Sequence, residues 1–335
     1  MILSTGMAED LRRIKNLEGT WKFTVGDDPS WSEVSYNDSE WDLVNVPNSW
    51  EANGFIGYNG YAWYRKTFRI ESQLTGEYVF LLMGHIDDVD EVFVNGQLVG
   101  YSGVFPVLMN TAYNVPRKYP IPVELLNQNG ENVIAVRVYD GYLDGGIRNG
   151  PIGLYYDQET SYLSQDLSGY WEFETTRNSK YEQKPVYHKK HDEIFVPGFW
   201  ENLGYHGYDG NAIYKKSFTL DKDIDLNSEL FLVLGYIDDM DEVFLNEKKI
   251  GDVEDINKGN RNYYSIFRGY EIPEGLLKEN GTNTLVINVY DQGELGGIYQ
   301  GPIGIATEEN FKKLKKNQKE PPNNYWDDFF KTIFE

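Results

Sequence analysis

The chain has 335 residues, a formal net charge of -22 and no cysteine. This acidity argues against binding to nucleic acid, whose phosphates require clustered Lys and Arg, and against anionic membrane surfaces. The absence of cysteine excludes disulfides, thiolate metal sites and cysteine nucleophiles. No apolar run is long enough for a membrane span or a signal sequence. The content of 26 Tyr, 8 Trp, 33 Gly and 13 Pro favours an all-β chain with many turns.

An internal repeat dominates the sequence, because residues 21–154 return almost in register at 171–305. Three blocks carry it: V-P-x-x-W-E-x-x-G-x-x-G-Y-[ND]-G-x-A-x-Y at 46–64 and 196–214, G-x-I-D-D-x-D-E-V-F-x-N at 84–95 and 235–246, and Y-D with a later G-G-I-x-x-G-P-I-G at 139–153 and 290–304. A repeat of about 150 residues is long enough to close its own core. We therefore predict domains at 10–157 and 158–307, followed by a basic linker and a short amphipathic helix at 308–335.

Strand signals recur along each repeat. In the first repeat they lie near 21–23, 43–46, 62–70, 78–83 and 152–156, and the segment 133–140 alternates apolar and polar residues. Asn95-Gly96 between two apolar runs predicts a tight hairpin turn, whereas Asn246-Glu247 in the second repeat predicts a turn of another type. About eight strands per repeat favour a two-sheet jelly roll.

The C-terminal tail has its own character. Residues 312–319 are basic, Pro321-Pro322 interrupts the chain, and five apolar residues then follow at helical spacing. Those five are Trp326, Phe329, Phe330, Ile333 and Phe334. We expect a short helix that either packs on the protein's own domains or docks into the groove of a protein partner.

The three blocks resemble the sugar-binding jelly-roll domain of glycoside hydrolase family 2, the N-terminal module of β-galactosidases and β-glucuronidases. The resemblance covers nearly all of 15–307, once in each repeat. It implies a galactose-binding-like fold and carbohydrate as the ligand. In that family the two catalytic glutamates lie on a separate TIM barrel, for which this sequence shows no pattern. The resemblance thus implies binding and not hydrolysis.

Asp140 and Asp291 are the leading candidates for contact with a sugar. In the family, the matching aspartate reaches the sugar site and accepts hydrogen bonds from hydroxyl groups. The alternative is that each carboxylate caps the glycine-rich loop that follows it. Asn59 and Asp209, in the Gly-Tyr-Asn/Asp-Gly loop, are further candidates for the same pocket.

Aromatic rings form the other half of a sugar site, since pyranose faces stack on them. The loops offer Tyr58, Tyr61, Tyr101, Phe105 and Tyr142 in the first repeat and Tyr205, Tyr208, Tyr263 and Tyr299 in the second. Of these, Tyr58 and Tyr208 are the leading candidates, together with Trp63, which is replaced by Ile213 in the second repeat. The four tryptophans shared by both repeats, at 21, 50, 171 and 200, are interpreted as core.

The densest carboxylate cluster is Asp87, Asp88, Asp90 and Glu91, which returns at 238, 239, 241 and 242. Since alternate residues of a strand face opposite sides, only two or three of these groups converge. A structural role is favoured, and a structural calcium ion is kept as the alternative. His188 and His191 lie in a predicted loop and are not expected to share a metal.

The sequence thus predicts a non-catalytic, carbohydrate-binding tandem module without an organic cofactor. The competing hypothesis is a scaffold subunit that uses its loops and tail for protein contacts. An acidic, cysteine-free carbohydrate module suits a periplasmic, secreted or envelope location.

Overall fold

A computed structural model describes residues 11–318, apart from 72, 75–77, 108, 176–192, 204, 206, 257–261 and 294. The chain divides into two compact units, the first from Leu11 to Asp157 and the second from Gln158 onward. His188, His191 and the apolar residues 326–334 lie outside the described residues, so the predictions made for them stay predictions.

The first unit is a sandwich of two antiparallel sheets. Its strands are β1 Leu11–Asn16, β2 Gly19–Val25, β3 Asp42–Val46, β4 Gly60–Arg69, β5 Tyr78–Asp87, β6 Val89–Val94, β7 Gln97–Ser102, β8 Pro116–Pro122, β9 Glu131–Asp140 and β10 Gly146–Asp157. Six strands pair in the order β3-β2-β4-β9-β6-β7, and four pair in the order β1-β10-β5-β8.

The second unit has a six-stranded sheet of the same arrangement. Its strands are β11 Gln165–Asp166, β12 Gly169–Thr175, β13 Glu193–Val196, β14 Gly210–Phe218, β15 Leu230–Asp238, β16 Met240–Leu245, β17 Lys248–Asp252, β18 Phe267–Glu271, β19 Asn283–Asp291, β20 Gly297–Gln300 and β21 Gly304–Thr307. The six-stranded order is β13-β12-β14-β19-β16-β17, and the facing sheet is β11-β21-β15-β18 with β20 on β15. The all-β sandwich expected from the sequence is confirmed.

The cores follow from alternation along the central strands. Ile134, Val136 and Val138 of β9 are fully buried and pack in one cluster with Leu81 of β5 in the opposite sheet. The four shared tryptophans are also buried, none more than 1% exposed. Two sheets that each bury one apolar face need no other layer to close a core.

The two hairpin turns at Asn95 and Asn246 are alike, and the prediction of a different turn in the second unit is wrong. Asn95 and Gly96 have φ of 50° and 80°, and Asn246 and Glu247 have 48° and 69°. The side chain of Asn246 explains this, because its Nδ2 donates to Asn283 Oδ1 at 2.8 Å. That bond holds the first turn residue in place. Glu247, the second turn residue, then takes a left-handed backbone conformation that glycine adopts more readily.

Among its described residues, the second unit has two α-helices: α1 spans Val253–Ile256 and α2 spans Glu308–Asn317. The predicted basic linker is therefore helical in its first part. Thr307 caps α2 by accepting from the Asn310 N–H, while Phe311 and Leu314 bury themselves in a cluster against the second unit's own strands. In the described ranges, neither helix combines the length and apolar character needed to cross a bilayer.

Candidate functional site: an aspartate triad in each unit

Asp87, Asp88 and Asp140 meet at one end of the first sandwich. Strand β5 ends at Asp87 and β9 ends at Asp140, in opposite sheets. Each residue offers one carboxylate oxygen, and the three oxygens all lie within 4.8 Å of one another. The side chains are buried, with Asp140 0% exposed. We call this group the first triad.

Most oxygens of the first triad already have partners. Asp140 Oδ1 accepts from the Tyr142 N–H at 3.3 Å, and Asp88 Oδ2 accepts from the Gly141 N–H at 3.0 Å. Asp88 Oδ1 accepts from the Thr111 hydroxyl. Arg148 Nη1 forms an ion pair with Asp87 Oδ2 at 2.6 Å. Asp140 Oδ2 is buried and has no hydrogen-bond partner in the described structure.

The second triad, Asp238, Asp239 and Asp291, repeats this geometry, again within 4.8 Å. Asp291 Oδ1 accepts from the Gly293 N–H at 3.1 Å, and Asp239 Oδ2 accepts from the Gln292 N–H at 3.0 Å. Asp291 Oδ2, like Asp140 Oδ2, is buried without a partner among the described residues.

The two units differ at the position from which Arg148 forms an ion pair with the first triad. In the first unit Gly146 pairs with Asp87, and in the second Gly297 pairs with Asp238. Two residues after these glycines stand Arg148 and Tyr299 respectively. The second unit therefore has Tyr299 in the register of Arg148, with its hydroxyl donating to the Tyr264 carbonyl at 2.9 Å, and within the described part of the chain the second triad forms no ion pair.

The carboxyl groups of the triads have raised pKa values. Burial is the largest cause, and together with smaller contributions from neighbouring carboxylates it raises the pKa of Asp140 to about 7 and that of Asp87 to about 6. In the second unit, burial raises the pKa of Asp238 to about 8 and that of Asp291 to about 6. Two ionised oxygens 4.8 Å apart repel by about 3.5 kcal/mol at an effective dielectric constant of about 20.

The shared W-E and G-G motifs build the loops beside each triad. Glu51 Oε2 accepts from the Gly145 N–H at 3.1 Å, and Glu201 Oε2 accepts from the Gly296 N–H at 3.0 Å. A Cβ on Gly145 would lie 2.2 Å from the Trp50 ring. The W-E and G-G motifs are thus explained by close packing between the two loops that carry them.

The predicted caps at Asp140 and Asp291 are present, since each carboxylate accepts from a main-chain N–H two residues on. Neither residue is more than 1% exposed. The neighbouring candidates Asn59 and Asp209 are exposed. They directly precede the glycines that pair with Asp140 and Asp291 in the sheets.

Tyr58 and Tyr208 brace their own loops. The Tyr58 hydroxyl donates to the Tyr61 carbonyl at 2.6 Å, and the Tyr208 hydroxyl donates to the Asn211 carbonyl. Each ring also packs edge-on against the shared tryptophan of its unit. Tyr208 is 2% exposed, so its ring offers no face to a sugar in this conformation.

Trp63 requires a correction, because its ring is fully buried. It packs with Trp41, Phe93 and Ala135 in a separate cluster, and its Nε1 donates to Asp27 at 3.1 Å. The choice of Trp63 as a stacking platform failed because β4 is covered on both faces, which its own sequence does not reveal.

Sequence reasoning did not single out two residues near the triads. Tyr142 was only one of several aromatic residues predicted in the loops, and the structure shows it 81% exposed, two positions after Asp140. Arg148 had no distinguishing pattern, and only its change to Tyr299 between the repeats singles it out. The paired Asp-Asp signal was visible, but its convergence with Asp140 depends on strands from opposite sheets.

Comparison with known proteins finds one matching family. The family described as "Beta-galactosidase second all-beta domain" matches residues 26–142 and 198–295.

Among curated proteins, a putative β-glucuronidase of Formosa agariphila is 27% identical over 138 residues, which are 38% of this chain and 12% of that protein. A β-galactosidase of Priestia megaterium is 25% identical over 156 residues, 37% of this chain and 14% of that protein. The alignments thus span only a small part of these relatives.

Among solved structures, a β-glucuronidase of Bacteroides uniformis aligns over 84% of this chain and 28% of its own, at 13% identity and a TM-score of 0.37. A β-glycosidase of Bacteroides vulgatus aligns over 82% of this chain and 29% of its own, at 20% identity and a TM-score of 0.34.

Proposed function

Because this chain belongs to the family of the β-galactosidase second all-beta domain, we propose that it is a non-catalytic module that binds carbohydrate at the triad end of its first unit. This membership agrees with the resemblance to glycoside hydrolase family 2 carried by the sequence motifs. The chain supplies accessory β-sandwich domains of that type.

One observation carries the proposal: Tyr142 presents an 81% exposed ring on the loop that Asp140 caps. A phenol ring in that position can stack on a pyranose face, and polar groups at its rim can bond to hydroxyls. Asn59 is exposed on the loop that enters β4 beside Asp140. Asp140 then acts as a positioning residue that holds the Tyr142 main chain.

Burial of the carboxylates supports binding without cleavage. A retaining glycosidase needs two carboxyl groups about 5 Å apart that both reach the scissile bond. The carboxyl groups of the first triad are close enough to one another, but Asp140 is 0% exposed and Asp87 only 8% exposed. A glycosidic bond cannot approach these carboxylates in the conformation described.

The second unit offers a poorer platform, since Gly293 stands where the first unit has Tyr142. We therefore assign the stronger sugar contact to the first unit. This inequality predicts a single dominant saccharide site per chain.

A glycan array followed by calorimetry on the purified chain tests the proposal. We expect Tyr142→Ala to weaken binding of the selected saccharide by about two- to tenfold, since a stacking ring contributes about 0.5–1.5 kcal/mol. Tyr290→Ala, at another exposed tyrosine, should leave the affinity unchanged. The absence of any bound glycan, or equal affinity in wild type and Tyr142→Ala, would contradict it.

A scaffold role is the second candidate, favoured by exposed apolar side chains at the same end. Ile56, Val107 and Leu143 are 87%, 99% and 86% exposed. Exposed apolar side chains that form one contiguous patch are typical of protein contacts. This role predicts a stable complex with a separate enzyme or envelope protein that the double change Ile56→Ser and Leu143→Ser disrupts while glycan arrays stay blank.

A further inference from the structure

We propose that the first unit has a further saccharide contact on the outer face of its six-stranded sheet, formed by the rings of Tyr61, Phe105 and Tyr139. We call these three rings the outer platform. The inference rests on the proposed function and extends it, because the outer platform continues the contact assigned to Tyr142. The ligand that it implies is an uncharged oligosaccharide longer than a disaccharide.

Alternation along β4 and β9 places the two tyrosines on the outer face. Tyr64 of β4 and Val138 of β9 belong to the core between the two sheets. Tyr61 and Tyr139 lie an odd number of positions away from them and so face the other side. The two residues are paired across the strands, and their rings meet edge to face with centroids 4.8 Å apart. Both residues are partly exposed.

Phe105 extends the outer platform from the loop that follows β7. Its ring is parallel to the ring of Tyr61, with 2° between the planes and 5.9 Å between the centroids. Phe105 is also partly exposed. Neighbouring rings of this kind present apolar surface to the C–H faces of successive pyranose residues.

Arg137 holds the rings of the outer platform in place. Its guanidinium lies 4.9 Å from the Tyr61 ring centroid and 4.4 Å from the Phe105 ring centroid. Asp27 accepts from Arg137 Nε at 2.7 Å and from Nη2 at 2.5 Å, and Glu91 accepts from Nη1 at 3.0 Å. A guanidinium fixed by two carboxylates restrains the rings through cation–π contacts, so binding a ligand costs little side-chain entropy.

The charges beside the outer platform favour an uncharged ligand. Arg137 brings one positive charge, against which stand the carboxylates of Asp27 and Glu91. The whole chain has a net charge of -22. An acidic saccharide would be repelled by this excess of negative charge. A neutral pyranose can stack on the rings and donate hydrogen bonds from its hydroxyl groups to carboxylate oxygens.

The outer platform adjoins the loop that carries Tyr142. Gly60 and Asp140 are paired at the ends of β4 and β9, so Tyr61 and Tyr139 lie one step along the sheet from Asp140. Tyr142 follows Tyr139 by three positions, and a segment of that length spans at most about 11 Å. One extended oligosaccharide can therefore contact Tyr142 and the outer platform together.

The second unit provides an internal comparison. Asn211 stands in the register of Tyr61, and Asn288 stands in that of Arg137. Tyr290 is retained and is 41% exposed, but it pairs with the amide side chain of Asn211 instead of a ring. Tyr290 is thus a matched control for the outer platform.

Titration calorimetry on the full chain tests the proposal with galacto-, cello-, manno- and xylo-oligosaccharides, each from the monosaccharide to the hexasaccharide. In at least one series we expect the affinity of wild type to rise by about two- to tenfold between the disaccharide and the tetrasaccharide, as a further stacked ring contributes. Tyr61→Asn should remove that rise and leave the affinity for the disaccharide unchanged. Tyr61→Phe should keep the rise, and Tyr290→Asn should behave as wild type.

Four results would overturn the proposal. They are an affinity that does not rise with chain length in any series, an equal rise in Tyr61→Asn, tighter binding of galacturonate oligomers than of neutral ones, and a sedimentation coefficient that Tyr61→Asn changes without sugar. The last result would make the outer platform a contact between two copies of the chain. Circular dichroism checks that each variant folds, and Phe105→Ser replaces Tyr61→Asn if that variant does not.

Failure of this inference can be told apart from failure of the proposed function. Glycan binding that depends on Tyr142 but gains nothing with chain length refutes the outer platform and leaves the proposed function in place. The absence of binding to every glycan refutes both.

Discussion

Arg117 donates from Nε to Asp90 Oδ1 at 2.7 Å, and neither side chain has any exposed surface. The Tyr119 hydroxyl donates to the other oxygen of the same carboxylate at 2.6 Å. The pair joins β8 of one sheet to β6 of the other. Arg268 and Asp241 repeat the pair in the second unit at 2.9 Å. Asp90 and Asp241 thus belong to the framework, although in sequence they are part of the acidic cluster that supplies the triads.

We predict that Asp90→Asn lowers the free energy of unfolding by about 3–5 kcal/mol, because it leaves the buried Arg117 charge uncompensated. Urea unfolding followed by circular dichroism measures the change. Glu131→Gln removes an exposed ion pair with Arg69 and should cost less than about 1 kcal/mol. Equal effects of the two changes would contradict the assignment of Asp90 to the framework.

The turn at Asn246 and Glu247 gives a second prediction. Glu247 has a φ of 69°, so Glu247→Gly should raise the free energy of unfolding by about 0.5 kcal/mol, the relief of backbone strain exceeding the entropy lost by glycine. The reciprocal change Gly96→Ala, at a φ of 80°, should lower it by about 1 kcal/mol. Urea midpoints of both variants test the pair, and a destabilised Glu247→Gly would show that the turn differs from the one described.

Glu201 gives the chain a pH-dependent stability. Burial raises the pKa of Glu201 from 4.5 to about 9, so the folded state holds its proton more tightly than the unfolded state. The free energy of unfolding should therefore fall as pH rises from about 4.5 to about 9, by at most about 1.4 kcal/mol per pH unit from this group.

Glu201→Gln should flatten that slope, since glutamine does not titrate. Chemical unfolding at pH 5.5 and 8.5, in EDTA, measures the slope for wild type and variant. Val25→Ala, at a 40% exposed position, is a change without a titrating group and should keep the wild-type slope. An unchanged slope in Glu201→Gln would show that the glutamate does not contribute.

Helix α2 should contribute to the stability of the second unit. Leu314 is fully buried, so Leu314→Ala should cost about 2–5 kcal/mol. Lys316→Ala, on the exposed side of the same helix, should change stability by less than about 0.5 kcal/mol. Thermal unfolding compares them, and a neutral Leu314→Ala would mean that the segment behaves as the linker expected from its charge.

Some of the candidate site was within reach of sequence reasoning. Asp140 and Asp291 were identified by their position before glycine-rich loops, and their capping bonds follow from spacing of two residues along one chain segment. The prediction of Trp63 as the stacking platform was wrong. The alternation of residues along β4 shows which side chains share a face of the sheet, but it does not show that a second apolar cluster covers the outer face. Tyr142 was one of several aromatic residues predicted in the loops, and only its exposure in the structure distinguishes it from the others.

By itself the sequence determined the repeat, the strands with a buried face and the tryptophan core of this protein, because those features depend on periodicities and glycine or proline requirements within short segments. Only the tertiary structure decided that Asp87 and Asp88 meet Asp140, that Arg148 forms an ion pair within one triad while Tyr299 stands in its register in the other unit, and that Glu247 takes a left-handed conformation. These relationships join strands far apart along the chain, and their geometry is fixed by sheet pairing and by side-chain bonds such as that of Asn246 to Asn283.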